Sequence, residues 1–362
     1  MSVLNFFFES TLALILWNCY RMLIELRDFF VRKLKKGTFL WKVLEFLQGI
    51  LFVKNYLFYY KWKLIKSQTT IREINIEFTS YCNLRCAFCS LDHEKPKIRI
   101  SPALLDTFFN HLTSDRRFSK VEVIHLHNAG ETLLHPEIGE LLGIIKKHKN
   151  LKHKNNQKFP TIHLLTNGTP LNEKKAMEIL DSNVIDVMEF SMDGGSPERF
   201  EEMRIRAKWS NFYQNIRFFC EENKKRGNNI RTNIIAVIDS KNPLKTNWMD
   251  NQFVEVLNMV DTYELRHPHT WAGEVDIEGD SSNSKNKPHK IGCGLLMHQL
   301  VFLPNGDVSV CCVDLNSKGV VGNINNNSLF EIYNSSLRKK WLELMFKRKK
   351  SEIDLCKNCD TF

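Results

Sequence analysis

The chain has 362 residues, 43% of them hydrophobic and 25% charged. That is enough apolar material for a large core, and it excludes a disordered tail, a collagen-like fibre and a small disulfide scaffold. The formal net charge of +10 is concentrated at the start: residues 1–70 carry eleven Lys/Arg against four acids, and 16 of the 40 aromatic residues, so no basic stripe for nucleic acid runs over the whole molecule.

In residues 1–70, Leu12, Ile15, Leu16, Cys19, Met22, Leu23, Leu26 and Phe30 repeat at helical spacing. After Gly37 a second pattern runs through Leu40, Val43, Leu44, Leu47 and Leu51. Glu9, Asn18 and Arg21 interrupt the first run, and Lys42, Glu45 and Lys54 the second, short of the length that spans a bilayer. There is no basic n-region or small-residue cleavage site of a signal peptide. Two amphipathic helices with aromatic and basic flanks fit peripheral contact with a membrane surface. A helical cap on the main domain, or one span at residues 3–24, are the other readings.

Residues 71–79 alternate like a strand, with Ile71, Ile74, Ile76 and Phe78 apolar. The strand runs into a loop with Cys82, Cys86 and Cys89, a C-x3-C-x2-C spacing. Three thiolates on a tight loop can hold three irons of a 4Fe–4S cube and leave the fourth open. Zinc sites usually pair their cysteines as C-x2-C, a weaker fit.

Further strands follow at regular intervals. Residues 121–127 lead into Asn128-Ala129-Gly130-Glu131, residues 161–165 into Thr166-Asn167-Gly168, and a fourth strand into Ser191-Met192-Asp193-Gly194. Residues 230–238 and 261–266 supply two more. Taken singly, the motifs at these strand ends are commonplace turns and caps. Their order, each at the C-terminal end of a parallel strand, gives them weight, because α/β folds place their chemistry there.

Residues 71–362 resemble the radical S-adenosylmethionine (SAM) superfamily. The match rests on Cys82, Cys86 and Cys89, with aromatic Phe88 before the last cysteine, and on the motifs that follow in order. The resemblance implies an α/β fold, a partial (β/α)6 barrel over residues 71–275. It implies that the three cysteines hold a catalytic 4Fe–4S cluster, which coordinates SAM and cleaves it to a 5′-deoxyadenosyl radical that takes hydrogen from substrate. Gly130 and Glu131 stand where a Gly-Gly-Glu binds the amino group of SAM, with Ala129 in place of the first glycine. Thr166 and Asn167 end the next strand at the same cofactor site, Ser191 and Asp193 match the segment at the ribose, and Arg204 or Arg206 is expected on the SAM carboxylate.

Residues 276–290 are polar and read as a linker. Beyond it, in residues 291–362, Leu300–Leu303 and Val308–Val310 flank Pro304-Asn305-Gly306-Asp307 as a hairpin ending at Cys311-Cys312. A helix near 328–347 then leads to Cys356-Lys357-Asn358-Cys359. This small hairpin and helix unit resembles the twitch form of the SPASM extension, with one auxiliary 4Fe–4S cluster on Cys293, Cys311, Cys356 and Cys359. Alternation sends Cys311 and Cys312 to opposite faces, and the family pattern favours Cys311. A four-thiolate zinc site is the alternative.

The resemblance further implies a reducing compartment, the cytoplasm or the cytoplasmic face of a membrane, and a low-potential electron donor such as flavodoxin or ferredoxin. One functional analogue with a single auxiliary cluster oxidises an aminocyclitol alcohol, while peptide-modifying relatives usually carry an N-terminal recognition domain of mixed helix and strand. The expected substrate is therefore a small polar metabolite, such as a sugar or lipid-linked sugar, that is oxidised or epimerised. A peptide- or protein-modifying maturase and a non-catalytic iron–sulfur electron carrier are the alternatives. His267, His269 and Trp271 are candidate substrate contacts.

Overall fold

The computed structural model describes residues 69–276 and 293–359. The amphipathic helices expected before residue 69, and all but the first residue of the polar linker, lie outside the described residues. Among the described residues no helix is long and apolar enough to cross a membrane.

The strands are β1 (Glu73–Ile76), β2 (Arg85–Cys86), β3 (Val123–His125), β4 (Thr161–Thr166), β5 (Val187–Ser191), β6 (Arg204–Ile205), β7 (Arg231–Val237), β8 (Thr262–Arg266), β9 (Gln299–Phe302), β10 (Asp307–Ser309) and β11 (Val320–Asn323). Nine of them form one sheet in the order β11-β10-β9-β1-β3-β4-β5-β7-β8. From β9 to β8 every neighbouring pair is parallel, and β10 and β11 add antiparallel. β2 and β6 make a separate antiparallel pair. The six strands from β1 to β8 in this sheet are those of the expected barrel, and among the described residues it is not closed, since there β8 pairs with β7 alone. The sheet also runs through the expected boundary at residue 291, because β9 pairs in parallel with β1.

The helices are α1 (Pro102–Ser114), α2 (Ile138–Lys154), α3 (Glu173–Ser182), α4 (Pro197–Met203), α5 (Trp209–Lys225), α6 (Asn251–Met259), α7 (Gly294–His298), α8 (Leu329–Tyr333) and α9 (Ser336–Phe346). Their starts follow from local chemistry. Ser101, Asn172, Ser196, Asp250, Ser328 and Ser335 each accept a first-turn backbone N–H, replacing a bond the helix cannot make itself. The single helix expected near 328–347 is two helices. Asn334 closes α8 and Ser335 caps α9, so the Asn-Ser-Ser run breaks the helix.

Strand alternation divides the sheet into two unlike faces. Ile74, Ile124, Ile162, Leu164, Phe190 and Ile234 are fully buried in a core with residues of α1, α2, α3, α5 and α6. The alternate residues, among them His125, His163, Glu189 and Asn233, form the concave face. A parallel sheet covered on both faces would be apolar on both; this face mixes those polar residues with Leu165, Ile235 and Val237. The sheet curls far enough that the Arg266 guanidinium on β8, paired first with Glu264, also feels Glu189 and Cys312 beyond β10.

Arg338 on α9 fixes the C-terminal unit. It is fully buried, donates to the carbonyls of Tyr333 (3.0 Å) and Leu296 (2.9 Å), and lies over the Tyr333 ring. It thereby ties α9 to α7, the helix that begins just after Cys293.

Candidate active site at the open end of the sheet

The Cys82–Cys89 loop leaves β1 and is held by backbone rather than by chance packing. Cys86 pairs with Arg204 across β2 and β6, Ala87 N–H donates to Met203 O (2.9 Å), and Cys89 N–H donates to Cys86 O (3.1 Å). All three are free thiols. Burial pushes Cys82 up to about 12 and Cys86 up to about 11, and raises Cys89. Cys82 also feels the charges of Cys86 and Cys89. A dry pocket of converging thiols disfavours free thiolates and suits them once a metal supplies positive charge. The donor set therefore fits a cluster.

Gly130 lies against this loop. A Cβ there would sit 1.8 Å from the Thr79 carbonyl oxygen and 2.8 Å from that of Tyr81. Glu131 N–H donates to Tyr81 O (2.9 Å). The Glu131 side chain is 4% exposed. Its Oε1 accepts from Leu133 N–H (3.0 Å) and Thr166 Oγ1 (2.7 Å), and its Oε2 from Asn167 N–H (2.7 Å). A carboxylate has about four acceptor positions, so these bonds leave room for one ammonium donor. Burial raises the Glu131 carboxyl, which an arriving cation would offset.

Asn167 continues the network. Its Nδ2 donates to Asn83 Oδ1 (3.0 Å) and lies 4.0 Å from Cys82 Sγ, while its Oδ1 accepts from Thr169. Thr166 and Asn167 thus bind Glu131 to the cysteine loop. Ser191 ends β5, half-buried, on the concave face beyond Glu189.

Asp193 and Arg204 differ from expectation. Asp193 is completely buried; its Oδ1 accepts from Val237 N–H (2.6 Å) and its Oδ2 faces Arg204 Nε at 2.6 Å. Both carboxylate oxygens thus face groups of the chain itself. Arg204 is not on a wet helix face but in β6, 6% exposed, and its Nε serves Asp193 rather than a free carboxylate. Its charge lies beside Cys86 and Cys82. Arg206 is exposed.

The Phe88 carbonyl accepts from the Trp271 indole (2.7 Å). Trp271, Cys82 and Cys89 pack against one small cluster of Leu91, Ala129 and Leu315, which places Trp271 beside the cysteine loop. The His269 ring lies tilted against Trp271, with ring centroids 4.4 Å apart. His267 is exposed and hydrogen-bonds Asn242 O (3.1 Å), away from these groups.

The second cysteine group also converges. Cys293 feels Cys359; Cys356 feels Cys293 and Cys359; Cys311 feels Cys293 and Cys356. Burial raises all three, Cys356 up to about 12. The last turn is closed by Cys359 N–H to Cys356 O (3.1 Å) and by Lys350 Nζ to Cys359 O (2.6 Å). Cys312 N–H donates to Gln299 Oε1 (3.0 Å), and its thiol, raised by burial to about 11, meets Gln299 and Glu73 and also feels Cys293. Four half-buried free thiols fit a closed cluster.

Sequence reasoning missed the polar lining of the concave face. The His125 ring contacts those of His127 and His163, and His163 Nδ1 is 3.7 Å from Glu189 Oε2. Burial pushes His125 down to about 3 and His127 down to about 4. Each sits on the polar side of a predicted strand, the one available signal.

The profile of the Radical SAM superfamily matches residues 76–243, and that of SPASM, an iron–sulfur cluster-binding domain, matches residues 293–360. The tungsten-containing aldehyde ferredoxin oxidoreductase cofactor-modifying protein of Pyrococcus furiosus is 27% identical over 123 residues, which are 34% of this chain and 31% of that protein. The chain thus aligns with about a third of this curated relative. Among solved structures, BtrN in complex with AdoMet and 2-DOIA is 20% identical, with 81% of this chain and 94% of that one covered and a TM-score of 0.52. The structure of anSMEcpe with bound AdoMet is 18% identical, covering 80% and 85%, TM-score 0.56. SuiB of Streptococcus suis bound to precursor peptide SuiA is 14% identical, covering 87% and 76%, TM-score 0.60. At these identities the likeness is one of fold.

Proposed function

We propose, from the premise that the chain belongs to the radical SAM superfamily and carries a SPASM domain, that it abstracts hydrogen from a small polar metabolite, such as a sugar or lipid-linked sugar, and oxidises or epimerises it. A reduced 4Fe–4S cluster and SAM, when bound, supply one-electron chemistry that the protein alone lacks.

Cys82, Cys86 and Cys89 would hold the first cluster, on a loop pinned by the β2–β6 pair. Gly130 lets the Glu131 segment approach that loop, and Glu131 offers its remaining acceptor position to the SAM ammonium. Thr166 and Asn167 orient that carboxylate. Asp193 and Arg204 position the loop, and Arg204 places a positive charge beside its thiolates. Phe88, through its carbonyl, seats Trp271, which with Leu91, Ala129 and Leu315 excludes water from the cysteines. Ser191 lies at the rim of the concave face. Cys293, Cys311, Cys356 and Cys359 would hold the auxiliary cluster. A low-potential donor of the flavodoxin or ferredoxin type would reduce the protein. The domain limits follow the same reading: core at 71–275, linker at 276–290, cluster domain at 291–362.

The observation that carries the substrate class is the polar concave face, where His125, His163, Glu189, Asn233, Glu264 and Arg266 line strands whose other face is apolar. Such a lining recognises a ligand rich in hydroxyl groups and disfavours an apolar peptide side chain. The test is an anaerobic screen of cluster-loaded protein with SAM and dithionite. Sugars, aminocyclitols or lipid-linked sugars should raise 5′-deoxyadenosine several-fold above the basal level. Stimulation by peptides alone would overturn the assignment.

A further inference from the structure

The concave face holds a constellation that the cysteine chemistry does not use. His125 stands beside His163 in the β3–β4 ladder, and Glu189 lies one step further along β5, opposite Leu165. One ligand atom from each of His125, His163 and Glu189 lies within 4.8 Å of the others. Glu189 Oε2 is 3.7 Å from His163 Nδ1, and the two rings are 5.1 Å apart at their centroids.

Two further observations indicate a missing partner. Nδ1 of His125 is buried and among the described residues has no hydrogen-bond partner, and Nδ1 of His163, also buried, has only the long contact to Glu189 Oε2. Buried polar atoms left in this way are costly unless a ligand satisfies them. The carboxylate is also held in place. Asn233 Nδ2 donates to Glu189 Oε1 (3.3 Å), and Thr262 Oγ1 donates to Asn233 Oδ1 (2.9 Å), the kind of outer support that orients a metal ligand. Glu189 itself is 9% exposed.

We propose that His125, His163 and Glu189 form a binding site for a divalent first-row transition cation of the zinc or ferrous-iron class. Two imidazoles and one carboxylate are the donor set such ions take, with positions left open. Magnesium and calcium prefer oxygen donors alone. Around a tetrahedral ion with bonds of about 2.0–2.1 Å, ligand atoms stand about 3.4 Å apart, so the His163–Glu189 spacing needs only a small adjustment. The positions these three groups leave open on the ion can take water or a substrate oxygen. The site does not depend on the SAM reading, since none of its ligands is a cluster cysteine.

The test uses full-length, cluster-loaded protein equilibrated anaerobically with zinc, freed of excess metal and compared with variants at equal iron content. Wild type should retain one equivalent of zinc that His163→Ala and Glu189→Gln lose. Asn233→Ala, which keeps all three ligands, should weaken zinc binding about ten-fold or more. X-ray absorption at the zinc edge should show nitrogen and oxygen neighbours at about 2.0–2.1 Å and no sulfur shell near about 2.3 Å. Wild type that retains no more zinc than His163→Ala, or zinc surrounded by sulfur, would overturn the site. In the first case the orphan nitrogens serve substrate or water; in the second the metal occupies cysteines.

Discussion

Arg204 Nε and Asp193 Oδ2 lie 2.6 Å apart in a place almost closed to solvent, and the same Arg204 pairs through its backbone with Cys86. The end of β5 is thereby fastened to the cysteine loop. Truncating one partner of such a pair leaves the other buried and uncompensated, at a cost of about 3–5 kcal/mol. Asp193→Ala should therefore lower the melting temperature of cluster-loaded protein by about 10 °C and reduce occupancy of the first cluster more than that of the second. An unchanged melting temperature with full iron content would show that the pair is dispensable.

Gly130→Ala tests the close approach of two loops. The new methyl group would collide with two backbone oxygens, neither able to swing aside. The Glu131 segment must move away from the cysteine loop, and a misplacement of about 1 Å costs about a hundred-fold in rate. SAM cleavage should fall by about that factor while the auxiliary cluster keeps its iron. Activity within a few-fold of wild type would mean that the loop yields without consequence.

Cys311 and Cys312 are adjacent in sequence but face different surroundings. Cys311 feels Cys312, Cys293 and Cys356, whereas Cys312 meets Gln299 and Glu73 and, of the other cluster thiols, feels Cys293. Cys311→Ser should remove about four of about eight irons per chain; Cys312→Ser should remove none. Iron and sulfide analysis after anaerobic reconstitution distinguishes them, and the reverse pattern would reassign the ligand.

Cys220 offers a pH test away from either cluster. Burial, with Asp261 and Glu221 adding, pushes its thiol up to about 12. The thiolate is the reactive form, so alkylation of Cys220 in folded protein at pH 8 should be about a thousand-fold slower than for a free cysteine. The rate should rise about ten-fold per pH unit through pH 10. Peptide mass spectrometry after iodoacetamide treatment measures it, and a plateau near pH 9 would contradict the shift.

What could be read from the sequence was what is local. The cysteine spacings, the turn residues at the strand ends and the period-two alternation of Ile74, Ile124, Ile162 and Phe190 need no knowledge of distant contacts, and all six core strands appear where the alternation puts them. The short β11 carries Gly322 and little pattern, and the Asn334-Ser335 break reads as helix until the cap is seen. The rest depends on register between segments far apart. Only the ladder brings His125, His163 and Glu189 together, only β6 shows that Arg204 serves Asp193, and only the β1–β9 pairing joins the C-terminal unit to the core sheet. A polar residue on a strand announces a face, not its neighbours.

Cys82, Cys86 and Cys89 have one function to be tested above the others, the cleavage of SAM. Cluster-loaded protein, reduced by dithionite under strict anaerobic conditions and given SAM, should release 5′-deoxyadenosine and methionine in equal amounts. The triple variant Cys82→Ala, Cys86→Ala, Cys89→Ala should retain about half the iron and release neither. Wild-type protein with both clusters filled that leaves SAM intact, or a triple variant that still cleaves it, would contradict the central claim.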